Sequence, residues 1–149
     1  MKIALAADHA GFEEKEKIKR TLDEIGVEYT DMGTNSPDSV DYPDYARKVG
    51  EAVARGEYDQ GLLVCGSGTG MAISANKVRG VRAAVAWNED IARLAREHNN
   101  ANVLALAARF STEEEMGEIV RAFFSTDFGG GRHAPRVDKI SQIEKDDLC

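Results

Sequence analysis

Residues 61–70 read Gly61-Leu62-Leu63-Val64-Cys65-Gly66-Ser67-Gly68-Thr69-Gly70. An apolar run with strand-forming residues passes straight into glycines that alternate with hydroxyl side chains. The run suits a strand buried on both faces, and the small residues from Gly70 to about 78 suit a short helix packed close to a sheet. Strand, tight turn and helix in that order make a βα unit. The same rhythm recurs outward from it. Strands are expected over 3–7, 27–32, 61–65, 81–87 and 102–107, with helices between them.

The helices carry their own punctuation. One over about 12–25 aligns Ile18, Leu22 and Ile25 and stops at Gly26; another over about 44–55 aligns Ala46, Val49 and Val53 and stops at Gly56. A fourth opens on Asn88-Glu89-Asp90 and sets Ile91, Leu94, Ala95 and His98 on one stripe. A fifth starts at Ser111-Thr112, with Glu114 and Glu115 at capping-box spacing, and runs to about 125. A glycine-rich turn and a polar amphipathic stretch over 137–147 follow. The pattern predicts an α/β fold with a parallel sheet and a helical tail, forming one domain over 1–149.

Composition narrows the function. The chain has 149 residues, 42% hydrophobic and 30% charged, with a formal net charge of −7. At this size folding buries about 68–70% of the unfolded surface, enough for a core without staples. The acidic balance repels nucleic-acid backbone and anionic lipid, so an anion must be caught by a local positive cluster. The two cysteines, Cys65 and Cys149, do not suggest a disulfide framework. The first residues reach Asp8 and His9 too soon for a signal peptide, and no apolar run approaches a membrane span. The expectation is a soluble, cytoplasmic protein.

Ligands of parallel α/β sheets sit outside the carboxyl ends of the strands. The loops predicted there contain Asp8 and His9, Tyr42, residues 66–70 and Arg109. Alternating glycines let backbone N–H groups turn inward toward a phosphate or oxyanion, and the following helix adds positive potential. A dinucleotide fingerprint would need glycine at Met71, and a nucleophile elbow would need glycines at Cys65 and Thr69, so neither motif is present. A cysteine ending a strand commonly does no more than pack. Here it borders a helix N-terminus that favours thiolate over thiol, beside a cradle for a growing oxyanion, and the chemical role gains the upper hand.

Arg132 and Arg136 lie four residues apart, either as a solvated basic turn or as a bidentate phosphate clamp. His9 reads equally as a capped loop histidine or a ligand to phosphate or hydroxyl, and Tyr42 as a packing residue. His98 falls on an apolar stripe, where a histidine more often packs than reacts. A helix of about 11 residues spans about 16 Å, which carries His98 to the sheet edge opposite Cys65. If both react, His98 must come from a second subunit.

These residues resemble the ribose/galactose isomerase family, specifically its type B ribose-5-phosphate isomerases. The resemblance rests on Asp8-His9-Ala10-Gly11, Asp41-Tyr42-Pro43, Cys65-Gly66-Ser67-Gly68-Thr69-Gly70, Ser74-Ala75-Asn76-Lys77, Arg96-Glu97-His98-Asn99, Asn102-Val103-Leu104-Ala105 and Gly130-Gly131-Arg132-His133 with Arg136. It implies a Rossmann-like three-layer α/β/α sandwich with a five-stranded parallel sheet. It also implies a homodimer whose site is shared between subunits, and interconversion of ribose 5-phosphate and ribulose 5-phosphate without a metal or other cofactor. By matching position, Cys65 is implied as the base. Gly66, Gly68, Thr69 and Gly70 are implied around the enediolate oxygen, and His98 with Ser67 in ring opening. Asp8 and Asn99 are implied for sugar hydroxyls, Tyr42 for the pocket wall, and His9, Arg109, Arg132 and Arg136 for the phosphate. Many relatives carry threonine at the position of Ser67. Others replace the cysteine by a carboxylate further along, but Met71, Ala72 and Ile73 offer no acid. Two alternatives stay open: a six-carbon substrate such as allose 6-phosphate or galactose 6-phosphate, or a phosphate- or nucleotide-binding module without catalysis.

Overall fold

A computed structural model describes residues 1–146; Cys149 lies outside the described residues. Five parallel strands, β1 (Lys2–Ala7), β2 (Glu28–Asp31), β3 (Gln60–Cys65), β4 (Ala83–Val85) and β5 (Val103–Ala107), form one sheet in the order β2-β1-β3-β5-β4. The connections are α1 (Phe12–Glu24), α2 (Tyr42–Ala54), α3 (Thr69–Asn76) and α4 (Glu89–Asn99). After β5 come α5 (Glu113–Ser125), a 3₁₀ turn (Gly131–His133) and α6 (Ala134–Lys145). The three-layer fold and the C-terminal helix match the expectation.

Alternation along the strands builds two cores. Ile3, Leu5, Leu62, Val64, Leu104 and Leu106 face α1, α4 and α5, where they meet Ile18, Leu22, Ala92, Ile119 and Phe123. Ala4, Ala6, Leu63, Cys65, Val103 and Ala105 face α2 and α3. That second side is lined by smaller groups, so its helices lie closer: a Cβ added at Gly61 would stand 2.6 Å from Val49. Each fully buried aliphatic or aromatic side chain contributes roughly 1.5–3 kcal/mol of transfer free energy.

Local chemistry sets the helix ends. Asn88 accepts the Ile91 N–H at 2.8 Å, and Thr112 and Glu115 form a reciprocal capping box. Helix α2 begins at Tyr42 rather than near 44, because Pro43 has its backbone angle preset for a first turn and needs no N–H there. The expected strand over 81–87 pairs only at Ala83–Val85. It lies at the sheet edge, and Asn76 stands outside it, donating to the Ala83 carbonyl at 2.9 Å and accepting the Ala83 N–H at 2.7 Å.

The apolar stripe of α4 is turned about 100°, one residue, from expectation. Ala92, Ala95 and Arg96 are buried, while Leu94 is 41% exposed. Arg96 is tolerated because its guanidinium donates to the carbonyls of Thr126 and Ala101 and to Asn100, at 2.6 to 3.1 Å. Burial still pushes it below the usual arginine value. Similarly, α1 buries Lys15 beside Ile18 and Leu22, and its Nζ sits 2.7 Å from both oxygens of Asp31.

Asp31 follows from this pairing. Burial opposes its ionisation, but hydrogen bonds from Lys15, Lys19 and the Gly33 N–H win and hold its carboxyl below the usual range. Its contribution is therefore complete above about pH 4 and is lost as pH falls further through the lowered folded-state value. Urea unfolding across an acid series should show that loss. Asp31→Asn should cost about 1–3 kcal/mol at neutral pH and flatten the acid limb; an unchanged limb would exclude Asp31 as its source.

Candidate active site

Chain direction reverses between β1 and β3: from β1 the chain goes to β2 on one side, then crosses to β3 on the other. Ligands of such sheets bind in the crevice this leaves at the carboxyl edge. A cleft of about 440 Å³ opens there. Asp8, His9, Tyr42, Cys65, Gly66, Ser67, Gly70 and Arg109 line it, together with Ala10 and Phe110, which carry no sequence signal.

The two strand ends are locked together. The Asp8 N–H donates to the Val64 carbonyl at 3.2 Å, and the Gly11 N–H caps Asp8 Oδ1 at 3.0 Å. A Cβ on Gly11 would lie 2.2 Å from the Val64 oxygen, so glycine is required at this crossing. His9 accepts the Val40 N–H on Nδ1 at 3.2 Å, which leaves Nε2 as the proton-bearing nitrogen of the neutral ring. That tautomer presents a donor, as a phosphate or hydroxyl ligand needs.

Cys65 is 4% exposed, and its Sγ accepts the Gly68 N–H at 3.1 Å. Gly68 reaches this position with φ +79, in the left-handed region, just before α3 begins. The sulfur therefore receives a backbone donor and borders the first turn of α3. The Thr69 N–H faces Ser67 Oγ at 3.4 Å. Gly68 and Thr69, expected at the ligand, belong to the turn but not to the cleft lining. Two flexible side chains fill the space that glycines vacate: Arg109 over Gly66 and the Tyr42 ring over Gly70.

The other expected residues lie elsewhere in the chain. His98 and Asn99 end α4, which belongs to the α1/α5 side and has run back from the carboxyl edge. His98 stacks on His133, ring centroids 4.2 Å apart and planes 16° apart. The Gly129 N–H donates to the Glu97 carbonyl at 2.9 Å and ties the loop before the 3₁₀ turn to α4. Arg132 lies in that turn and Arg136 in the first turns of α6. Partial burial, then the charges of His98, Arg132 and Arg136, hold His133 below the usual histidine value against the pull of Glu97. One chain thus carries two separate clusters: a thiol cleft at the carboxyl edge, and histidines with arginines at the end of α4.

Sequence reasoning passed over His133, Lys15 and Arg96. The first adjoins Arg132; Lys15 falls on the stripe of Ile18 and Leu22 in α1, whereas the apolar pattern of α4 gave no signal for Arg96.

Among known proteins, the family model described as Ribose/Galactose Isomerase matches residues 3–140. Ribose-5-phosphate isomerase B of Escherichia coli (strain K12) is 46% identical over 144 residues, 97% of this chain and 97% of that protein. The structure of Clostridium thermocellum ribose-5-phosphate isomerase B superposes with a TM-score of 0.96 at 49% identity, covering 98% of this chain and 99% of that one. Mycoplasma genitalium ribose-5-phosphate isomerase B, solved with bound ribulose 5-phosphate, gives a TM-score of 0.94 at 43% identity, covering 98% and 97% of the two chains.

The turn also ranks its glycines. Gly68→Ala combines a left-handed φ with a Cβ 3.3 Å from the Leu106 backbone, and should cost about 1–3 kcal/mol in urea unfolding. Gly66→Ala and Gly70→Ala press on movable side chains, Arg109 and Tyr42, and should stay within about 1 kcal/mol of the parent. A larger loss at Gly70 than at Gly68 would contradict the geometry of this turn.

Proposed function

The chain belongs to the ribose/galactose isomerase family, and we infer that it is a ribose-5-phosphate isomerase, interconverting D-ribose 5-phosphate and D-ribulose 5-phosphate through an enediolate. The observation that carries this reading is the Cys65 sulfur, supplied with the Gly68 N–H and set into a cleft beside the start of α3.

A proton on carbon next to a carbonyl is weakly acidic, so its removal needs a base and a site for the developing oxyanion. Cys65 as thiolate takes the C2 proton of the open-chain aldose. The C–H electron pair becomes the C1=C2 double bond, and the carbonyl pair moves onto O1. With the Gly68 amide on sulfur and the Thr69 amide toward Ser67, the other amides of the turn over 66–70 suit that oxygen. Returning the proton to C1, while the proton on O2 passes to O1 and the C2 carbonyl forms, completes the ketose. General-base help contributes about 10²–10⁴-fold, and one oxyanion donor about 10²–10³-fold.

Ring opening and phosphate capture draw on both clusters. Asp8, with Oδ2 unbonded among the described residues, and Asn99 suit the sugar hydroxyls. His9, Arg109, Arg132 and Arg136 suit the phosphate. His98 with the Ser67 hydroxyl suits ring opening, and Tyr42 walls the pocket. Because His98 and Cys65 stand on opposite sides and ends of one sheet, the complete site is formed in a homodimer, where Cys65 meets the partner subunit's His98. Exposed apolar side chains support such pairing: Trp87 is 63% exposed and Phe110, on the cleft rim, 77%. Among the described residues no helix is long and apolar enough to cross a membrane. With a net charge of −7, this fits a cytoplasmic enzyme of the pentose phosphate pathway, its substrate site carried by one domain over the whole chain.

Turnover of ribose 5-phosphate in heavy water should leave deuterium on the exchanging carbons, read by NMR. A chain that turns over a six-carbon phosphate but not ribose 5-phosphate would refute the substrate. Cys65→Ala should lower kcat by at least about 10²-fold while calorimetry still detects binding; full activity would remove Cys65 as the base. Mixing Cys65→Ala with His98→Ala chains should restore about one quarter of parent activity, since half the dimers then hold one intact site. No rescue would exclude sharing.

A further inference from the structure

Lys15 takes no part in the chemistry above, yet it is 0% exposed. An ammonium group out of water costs several kcal/mol unless every N–H is met and its charge is balanced. Both conditions hold here. Nζ lies 2.7 Å from Asp31 Oδ1, from Asp31 Oδ2 and from the Thr34 carbonyl. The Phe12 ring covers another side at 5.6 Å.

These acceptors share an address. Asp31 ends β2, and its Oδ1 also takes the Gly33 N–H at 2.9 Å. Just beyond, the Ala7 N–H donates to the Gly33 carbonyl and the Thr34 N–H to the Ala7 carbonyl, each at 2.8 Å. Lys15 thus ties the root of the segment 33–41 to α1, while the backbone bonds hold it against the end of β1. The far end of that segment reaches the cleft, where the Val40 N–H holds His9 Nδ1 and the chain enters α2 at Tyr42.

We propose that the Lys15–Asp31 pair is a positioning device for substrate binding, holding the segment 33–41 so that its far end sets the tautomer of His9 and the place of Tyr42. The pair touches no substrate and acts through the loop. This rests on the ribose-5-phosphate reading and adds residues to it.

The test uses K15M, K15R and the double variant K15M/D31N in the full chain. Hydrogen exchange at the Val40 amide, referred to the core amide of Leu63, is read beside kcat and KM for ribose 5-phosphate well below each melting temperature. In K15M the Val40 amide should lose protection relative to Leu63, and KM should rise about tenfold with kcat within about threefold. K15R, which keeps the charge, should recover part of both. The double variant, freed of an unbalanced buried charge, should regain stability while KM stays high. KM and Val40 protection that return with stability in the double variant would overturn the proposal, as would parent values in K15M. If K15M does not fold, the double variant decides alone. A parent protein that does not turn over ribose 5-phosphate would remove the functional reading, and Val40 exchange would still decide whether Lys15 positions His9.

Discussion

Everything at the carboxyl edge depends on how closely the first turn lies on the third strand. No side chain fits between Gly11 and the Val64 carbonyl, and the Asp8 N–H closes the remaining gap with a hydrogen bond. Backbone therefore meets backbone where the chain changes direction in the sheet. That contact makes Asp8 and Cys65 neighbours although 57 positions separate them in sequence. It also puts the loop after β1 opposite the glycine turn after β3, so the Asp8 carboxyl and the Cys65 sulfur open into the same cleft. Parallel pairing of Ala7 with Val64 and of Cys65 with Ala107 fixes the depth of the cleft and delivers Arg109 to its rim.

Charge is distributed along the same plan. The chain is acidic overall, while the proposed chemistry sets a thiolate next to a phosphate, two negative groups at once. The Gly68 N–H and the start of α3 face the sulfur. Arg109 borders the cleft, while Arg132 lies in the 3₁₀ turn and Arg136 in α6. Because Arg132 and Arg136 lie away from the Cys65 thiol within one chain, the proposed site would link completeness to association.

Much of this was legible in the sequence, for physical reasons. The alternating glycines at 66, 68 and 70 state their own geometry, and helix rise alone carried His98 away from Cys65. Other features were hidden because apolar periodicity records burial and not the means of tolerating it. Leu94 looked like core and Arg96 like surface, yet Arg96 satisfies its N–H groups on nearby carbonyls and is buried in α4. Lys15 escaped notice in the same way, since its acceptors come from a strand and loop more than a dozen residues further on. The run over 81–87 looked like a full strand because Val81 and Ala86 are buried although they lie outside the paired residues.

The short β4 leaves one more consequence. A sheet margin invites further strands, and chains that expose one risk fibrillar growth. Here the carboxamide of Asn76 already occupies both the carbonyl and the N–H of Ala83, imitating a neighbour's peptide group. An incoming polypeptide would have to evict that mimic before gaining its first ladder rung. The fold thus carries its own stopper against templated polymerisation, on the side where the sheet would otherwise be open.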